Sequence, residues 1–318
     1  MYKKGTSYIQ LVAISLYFLS LQTGLLISAC VGYKLDAAAI EVLERGMDCF
    51  DKFKLPFREI LVIAESEGLM SVVGLSYQFS HAAIHSAAYE IKAEGRDTLH
   101  LEIGRMLLKE ASAAELEHES VLLATVDQLN RSPSEEMSAL EKISATELNL
   151  IAGTRAISSS CHHAALHYFK LGLTYLVDED WSGENYELCL RLHNLSMETA
   201  LAIGSFDDVE QIIETILGKA RTYNDKLRAY YARMCSLGAQ GESPEAIELG
   251  LDVLANLGEE FPRDALTDEA VKDDLKKTKM LLHGMSAEAM FELEEIKHEQ
   301  KIQAMRFLNR MGMIAYGE

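Results

Sequence analysis

The residues of this chain best able to do chemistry lie at 77–91, around a predicted junction between a strand and a helix. Apolar and aromatic residues alternate up to Phe79, and apolar residues at helical spacing begin after His81. Because a change of period from two to 3.6 marks a strand leading into a helix, we predict both elements here. Free backbone N–H groups gather at a helix start, so Ser80 and His81 are candidates for sensing a phosphate or nucleotide. The alternative is that His81 caps the helix or packs in a small core.

Two histidine pairs have the spacing that places both imidazole rings on one helix face. His81 and His85 form the first pair, and His163 and His167 form the second. A zinc site needs further ligands, and neither pair carries the glutamate of an HExxH motif. We expect surface or packing roles for the second pair, and the sequence predicts no metal site.

The sequence lacks the motifs that would make this chain an enzyme. It has no G-x-x-x-x-G-K-[ST] loop and no kinase glycine-rich loop, HRD or DFG motif. The five cysteines are scattered without a CxxC pair, which argues against a zinc ribbon or a redox motif and is typical of reduced thiols. We therefore predict that the chain is not an enzyme and binds no cofactor by itself.

The composition indicates a mainly helical protein that does not bind nucleic acid. The chain has 318 residues, of which 48% are hydrophobic, so it can bury a large core. Only four prolines interrupt the periodic segments, which favours long helices. A net charge of -19 opposes binding to phosphates, because a nucleic-acid-binding protein needs clustered Lys and Arg.

The second half of the sequence has the spacing of paired helices that repeat. A tetratricopeptide (TPR) unit is a pair of antiparallel helices with small residues where they approach closely, and 147–173 follows that spacing. Two further units run at about 186–220 and 224–257, and turn at Gly204 and at Gly241. We assign repeat close-packing positions to Gly153, Ala165, Phe169, Gly204, Val209, Gly241 and Ala246. Such units must stack on their neighbours to bury their apolar faces.

A collinear series of segments resembles the middle region of large STAND-type signalling ATPases, which include hybrid histidine kinases and multi-sensor kinases. FSHAAIHSAAYEI (79–91) is similar to that family's FSHDxxxxAAY signature, with Ala82 in place of the aspartate. LSLQTGLLISACVGYKLD (19–36) resembles a helix of its winged-helix region. Further segments follow in the family's order, at 97–108, 122–132, 147–160, 164–176, 186–206, 281–286 and 301–311.

The resemblance implies a mainly α fold, with a winged-helix-like region and small β-wing at 1–95 and a TPR-like α-solenoid at 96–318. It also implies a non-catalytic regulatory scaffold that couples nucleotide state to partner or ligand binding by the repeats. The ATPase core would lie before residue 1, so ATP or ADP would be held there, and Ser80 and His81 would sense it. The alternative is a free-standing TPR-like adaptor whose partners are proteins.

The N-terminal segment carries an atypical, uncharged run. No charged residue occurs from Gly5 to Tyr33, and residues 1–18 depart from the family pattern. A membrane-spanning helix needs about 20 strongly apolar residues, whereas serines, glutamines and a glycine dilute this run. We expect a cytoplasmic protein, with membrane association through residues 9–31 as the alternative.

Overall fold

The computed structural model describes residues 18–47, 55–92, 94–261, 268–286, 289, 292 and 295–316. The chain is mainly helical with one small antiparallel sheet, which confirms the predicted fold class at this level. It divides into two compact units, Met1–Val177 and Asp178–Glu318. The division predicted after residue 95 follows motifs rather than packing and stays a prediction.

The first unit contains the sheet and eight described helices, and the second contains six described helices. The strands are β1 (Lys34–Leu35), β2 (Met70–Val73) and β3 (Ser76–Phe79). The helices of the first unit are α1 (18–31), α2 (Ala37–Gly46), α3 (Phe57–Ser66), α4 (Ala82–Tyr89), α5 (Arg96–Glu110), α6 (Glu119–Asn130), α7 (Ala139–Ser158) and α8 (His162–Thr174). Those of the second unit are α9 (Tyr186–Ala202), α10 (Phe206–Lys219), α11 (Tyr223–Ala239), α12 (Ser243–Asn256), α13 (Asp268–His283) and α14 (Glu299–Tyr316).

The sheet forms where the sequence predicts a strand before a helix. Its order is β1-β3-β2, and both pairings are antiparallel. β2 and β3 form a hairpin with Val73 opposite Ser76, and Gly74 in the connecting turn has a φ of 64°. A left-handed residue at this point is most readily a glycine, so the hairpin turn is encoded locally. β3 ends at Phe79 and α4 begins at Ala82, which confirms the predicted change of period.

The sheet and helices α1 to α6 share one hydrophobic core. Phe57 of α3 and Phe79 of β3 are among its largest fully buried side chains. A second cluster joins α5, α6 and α7 to Tyr175, so α7 continues the packing of the first unit. Removing apolar surface from water stabilises the folded chain by about 25 cal/mol for each Å². The amphipathic helices therefore turn their apolar faces toward this core.

Helices α7 and α8 pack most closely around one glycine. A Cβ added at Gly153 would lie 2.3 Å from Cε1 of Phe169, so the aromatic ring occupies the space that a larger residue would need. Phe169 and Ala165 are both fully buried at this contact. α7 begins with a capping box, in which Ser138 and Glu141 satisfy each other's backbone N–H groups.

The glycines that separate the later helix pairs have a conformational rather than a packing role. Gly204 and Gly241 have φ values of 75° and 82°, and a Cβ at either position would meet no atom within 4 Å. Each follows the end of a helix, where a left-handed residue stops the helical hydrogen bonding. Val209 and Ala246, the predicted close-packing positions of these pairs, are both fully buried.

The second unit buries its core between α11, α12 and α14. Phe307 of α14 is 1% exposed and packs with Leu254 of α12 and Met234 of α11. Within the described ranges, no helix combines the length and apolarity needed to cross a membrane. Residues 9–17 of the segment considered for membrane association lie outside those ranges.

Candidate functional site

The predicted sensing residues, Ser80 and His81, are exposed side by side at the junction between β3 and α4. His81 is the N-cap residue of α4, and its Nδ1 accepts a hydrogen bond from the backbone N–H of Ala83 at 3.1 Å. The capping interpretation is therefore correct for this ring. Because Nδ1 accepts, the hydrogen-bond geometry assigns the ring proton to Nε2. Nε2 has no partner among the described residues and is left to donate to an external acceptor.

One helical turn into α4, His85 joins the junction to the end of α1. Its Nε2 lies 3.1 Å from the carbonyl oxygen of Ala29 and donates to it. The ring packs edge-on against Phe79, with centroids 5.1 Å apart, and stacks with Tyr89 at 6.4 Å. Since α1 ends at residue 31, the carbonyl of Ala29 is one of the groups that a helix leaves without an internal partner.

A buried hydrogen-bond chain continues from Tyr89 through α5 and α6 and returns to α1. The O–H of Tyr89 donates to Nε2 of His100 at 3.0 Å, and Nδ1 of His100 donates to Oε1 of Gln128 at 2.7 Å. Nε2 of Gln128 then donates to the carbonyl oxygen of Cys30 at 2.7 Å. We call Tyr89, His100, Gln128 and the Cys30 carbonyl the buried relay. It satisfies a second free carbonyl at the end of α1, and its directions require a neutral His100.

The exposed end of the relay is covered by an arginine. The guanidinium of Arg96 lies 4.2 Å from the ring centroid of Tyr89, and it also pairs with Glu90 at 3.1 Å. Such a cation over an aromatic face is favourable, and it places charge beside the tyrosine without breaking its hydrogen bond. The relay therefore runs from a charged surface to a buried helix end.

Burial shifts the pKa values of several groups in these units. It lowers the pKa of His100, and the hydrogen bond with Gln128 partly opposes this effect. Burial likewise lowers the pKa of His193, with the Cys189 carbonyl acting in the opposite direction. It raises the pKa of the Cys30 thiol to about 11, so this thiol stays protonated and unreactive at neutral pH.

We expect the protein to lose stability as the pH falls from 7.5 to 5.5. The unfolded histidines titrate near pH 6.5, and burial places the folded values of His100 and His193 lower. Below pH 6.5 the unfolded chain therefore binds more protons, and the stability present above that pH declines. Urea unfolding at pH 7.5 and at pH 5.5 measures the difference in the free energy of unfolding. This difference should be smaller in His100→Gln than in the wild type.

Exposed His163 supplies the matched control for this pH experiment, because His163→Gln removes a histidine on the surface of α8 that has no part in the buried relay. Two glutamates affect stability in a separate, lower range of pH. Hydrogen bonds from Ser112 hold the pKa of Glu115 at about 2, and the Arg105 side chain does the same for Glu141. Their contributions decline only below about pH 4.5. An unchanged pH dependence in His100→Gln would contradict the assignment.

The sequence pointed to the junction but not to the relay. His100 and Gln128 lie on the buried faces of α5 and α6, and the only signal at each position is a polar residue within an otherwise mostly apolar stripe. In the second histidine pair, His163 and His167 are both exposed on α8. Among the described residues, no group of three or more His, Cys, Asp or Glu side chains is arranged to hold a metal ion.

Comparisons of the chain with protein-family models, with curated proteins and with solved structures found no match.

Proposed function

We propose that this chain is a non-catalytic regulatory scaffold of a STAND-type signal-transduction ATPase or hybrid histidine kinase. In this proposal the first unit senses a nucleotide held by an upstream ATPase domain, and the helix pairs bind a protein partner. The small sheet with α1 to α4 is interpreted as a winged-helix-like element, and the later helix pairs as a TPR-like solenoid. The collinear segments described above support this assignment.

The observation that carries the proposal is the state of the His81 ring. The cap at Ala83 holds the ring in one orientation and leaves its Nε2–H for an outside acceptor. A phosphate oxygen is a suitable acceptor, because an N–H bond to an anion is about twice as strong as a neutral one. A ring that is already oriented loses little entropy when it binds.

The buried relay gives this ring a firm support. His85 and the relay attach α4 to α1, α5 and α6 by hydrogen bonds that are satisfied along their length. A connected polar network restrains the helices that it joins. A contact made at the start of α4 would therefore be transmitted to the helices bonded to it. The nucleotide state of the ATPase domain would then favour one arrangement of the first unit against that domain over another.

His81→Asn is the variant that separates the sensing role from the capping role. Asparagine caps helices well, so the isolated chain should keep its free energy of unfolding within about 0.5 kcal/mol. Its short side chain does not reach the position of Nε2. In an assembly with the ATPase domain and ADP, we expect ADP to bind more weakly by about tenfold or more, from the loss of about 1.5–3 kcal/mol. His81→Ala should also destabilise the isolated chain, because it removes the cap.

The experiment begins with the coding sequence upstream of Met1. If that sequence encodes a P-loop in the same reading frame, the ATPase domain for the assembly can be produced from it. If it does not, the free-standing adaptor is favoured. Calorimetric titration of ADP then compares wild type, His81→Asn and, as a neighbouring exposed control, Ser86→Ala. Equal ADP affinity for wild type and His81→Asn would show that His81 has only the capping role.

A further inference from the structure

The second unit carries a row of arginines on one face of an otherwise acidic protein. α11 packs against both α9 and α14, and residues of all three helices line one cleft. Arg228 of α11 faces α9, and Arg306 and Arg310 of α14 face α11. We call these three residues the arginine face. They stand out because the whole chain has a net charge of -19.

Two of these arginines have no carboxylate partner within the described residues. Arg228 pairs with Glu198 at 2.7 Å. Arg306 instead lies over the ring of Tyr231, 4.8 Å from its centroid. Arg310 lies beside the Cys235 thiol, and its buried Nε has no hydrogen-bond partner. Arg310 as a whole is only half-buried, and a guanidinium without a carboxylate partner favours an external anion.

The two unpaired arginines line two open clefts on this side of the unit. One, of about 330 Å³, contains Arg306 beside Tyr231 and Leu201, and the ion pair between Arg228 and Glu198 also lines it. The other, of about 320 Å³, contains Arg310 beside Met313. Each cleft therefore offers a cation together with apolar surface. That combination suits a peptide with both acidic and apolar side chains.

The spacing of the arginines indicates the conformation of the ligand. Residues four apart on a helix are separated by about 6 Å along its axis. Alternate side chains of an extended peptide are about 6.6 Å apart and point the same way. Two acidic residues separated by one residue can therefore reach Arg306 and Arg310 together. An apolar side chain two residues before the first acid would lie near Tyr231.

We propose that the arginine face binds an extended acidic segment of a partner protein, with the pattern apolar-x-acid-x-acid. This inference rests on the proposed partner-binding role of the helix pairs and specifies the chemistry of that partner. Charge complementarity favours acidic segments over other segments, because a basic or neutral segment leaves Arg306 and Arg310 without carboxylate partners. Binding should weaken as salt rises, since the exposed arginine is screened.

The probe is a fluorescein-labelled, C-terminally amidated peptide, Gly-Leu-Ser-Glu-Ser-Glu-Ser-Gly, whose binding is followed by fluorescence polarisation. Its isomer Gly-Leu-Ser-Ser-Glu-Glu-Ser-Gly has the same charge but points its two carboxylates to opposite faces. We expect the alternating peptide to bind about tenfold more tightly than the isomer. Equal binding of the two peptides, or no binding of either at millimolar concentration, would overturn the inference.

Arg306→Gln and Arg310→Gln should each weaken binding of the alternating peptide by about five- to tenfold. Arg58→Gln, which changes the net charge equally in the first unit, should leave the affinity unchanged. If Arg310→Gln does not fold, exposed Arg306→Gln decides the question. Unchanged affinity in Arg306→Gln contradicts the proposed site. This readout lies in the second unit, so its failure leaves the ADP experiment on His81 unaffected.

Discussion

Replacing Phe169 with alanine is expected to lower the free energy of unfolding by about 3–5 kcal/mol. The ring is fully buried between α7 and α8, so the substitution removes its packing and leaves a cavity. Urea unfolding followed by circular dichroism at 222 nm measures the change. Phe261→Ala is the matched control, because Phe261 is 43% exposed and should change stability by less than about 1 kcal/mol.

Gly153 provides a second test of the same contact. In the wild-type chain, Gly153→Ala should cost about 1–3 kcal/mol, because its Cβ would lie 2.3 Å from Cε1 of Phe169. In the Phe169→Ala background that clash is gone, and the better helix propensity of alanine should make the same change neutral or stabilising by up to about 1 kcal/mol. A cost that stays the same in both backgrounds would show that the two residues do not share this contact.

Gln128→Ala is expected to destabilise the first unit by about 2–6 kcal/mol. The substitution leaves the Nδ1–H of His100 and the carbonyl oxygen of Cys30 without partners in a buried site. Each unsatisfied buried group costs about 1–3 kcal/mol. Denaturant unfolding at pH 7.5 measures the loss.

Gln211 supplies the control for the relay experiment. It is exposed on α10, so Gln211→Ala should change stability by less than about 0.5 kcal/mol. Gln128→Ala should also remove the acceptor that keeps the proton of His100 on Nδ1. The dependence of stability on pH should therefore change. A loss no larger than that of Gln211→Ala would mean that the relay contributes nothing beyond packing.

Local elements of this protein could be predicted from neighbouring residues. The change of period at Phe79 to His81 predicted the strand and the helix that follow, because alternation and helical spacing are properties of short segments. The turns at Gly204 and Gly241 were likewise visible, since a glycine after an apolar helical run marks a left-handed helix end. In each case the determining residues lie within a few positions of the element.

The relay and the arginine face were decided by tertiary structure alone. Gln128 and the Cys30 carbonyl that it satisfies are 98 residues apart in the chain, and no local pattern pairs them. Arg306 meets Tyr231 only because α14 packs against α11. A helical pattern determines which side chains share a face, but the partner of that face depends on how whole helices pack. The sequence by itself therefore determined the helices, their ends and the histidine junction, whereas packing determined which polar groups are paired and which arginines lack a carboxylate partner among the described residues.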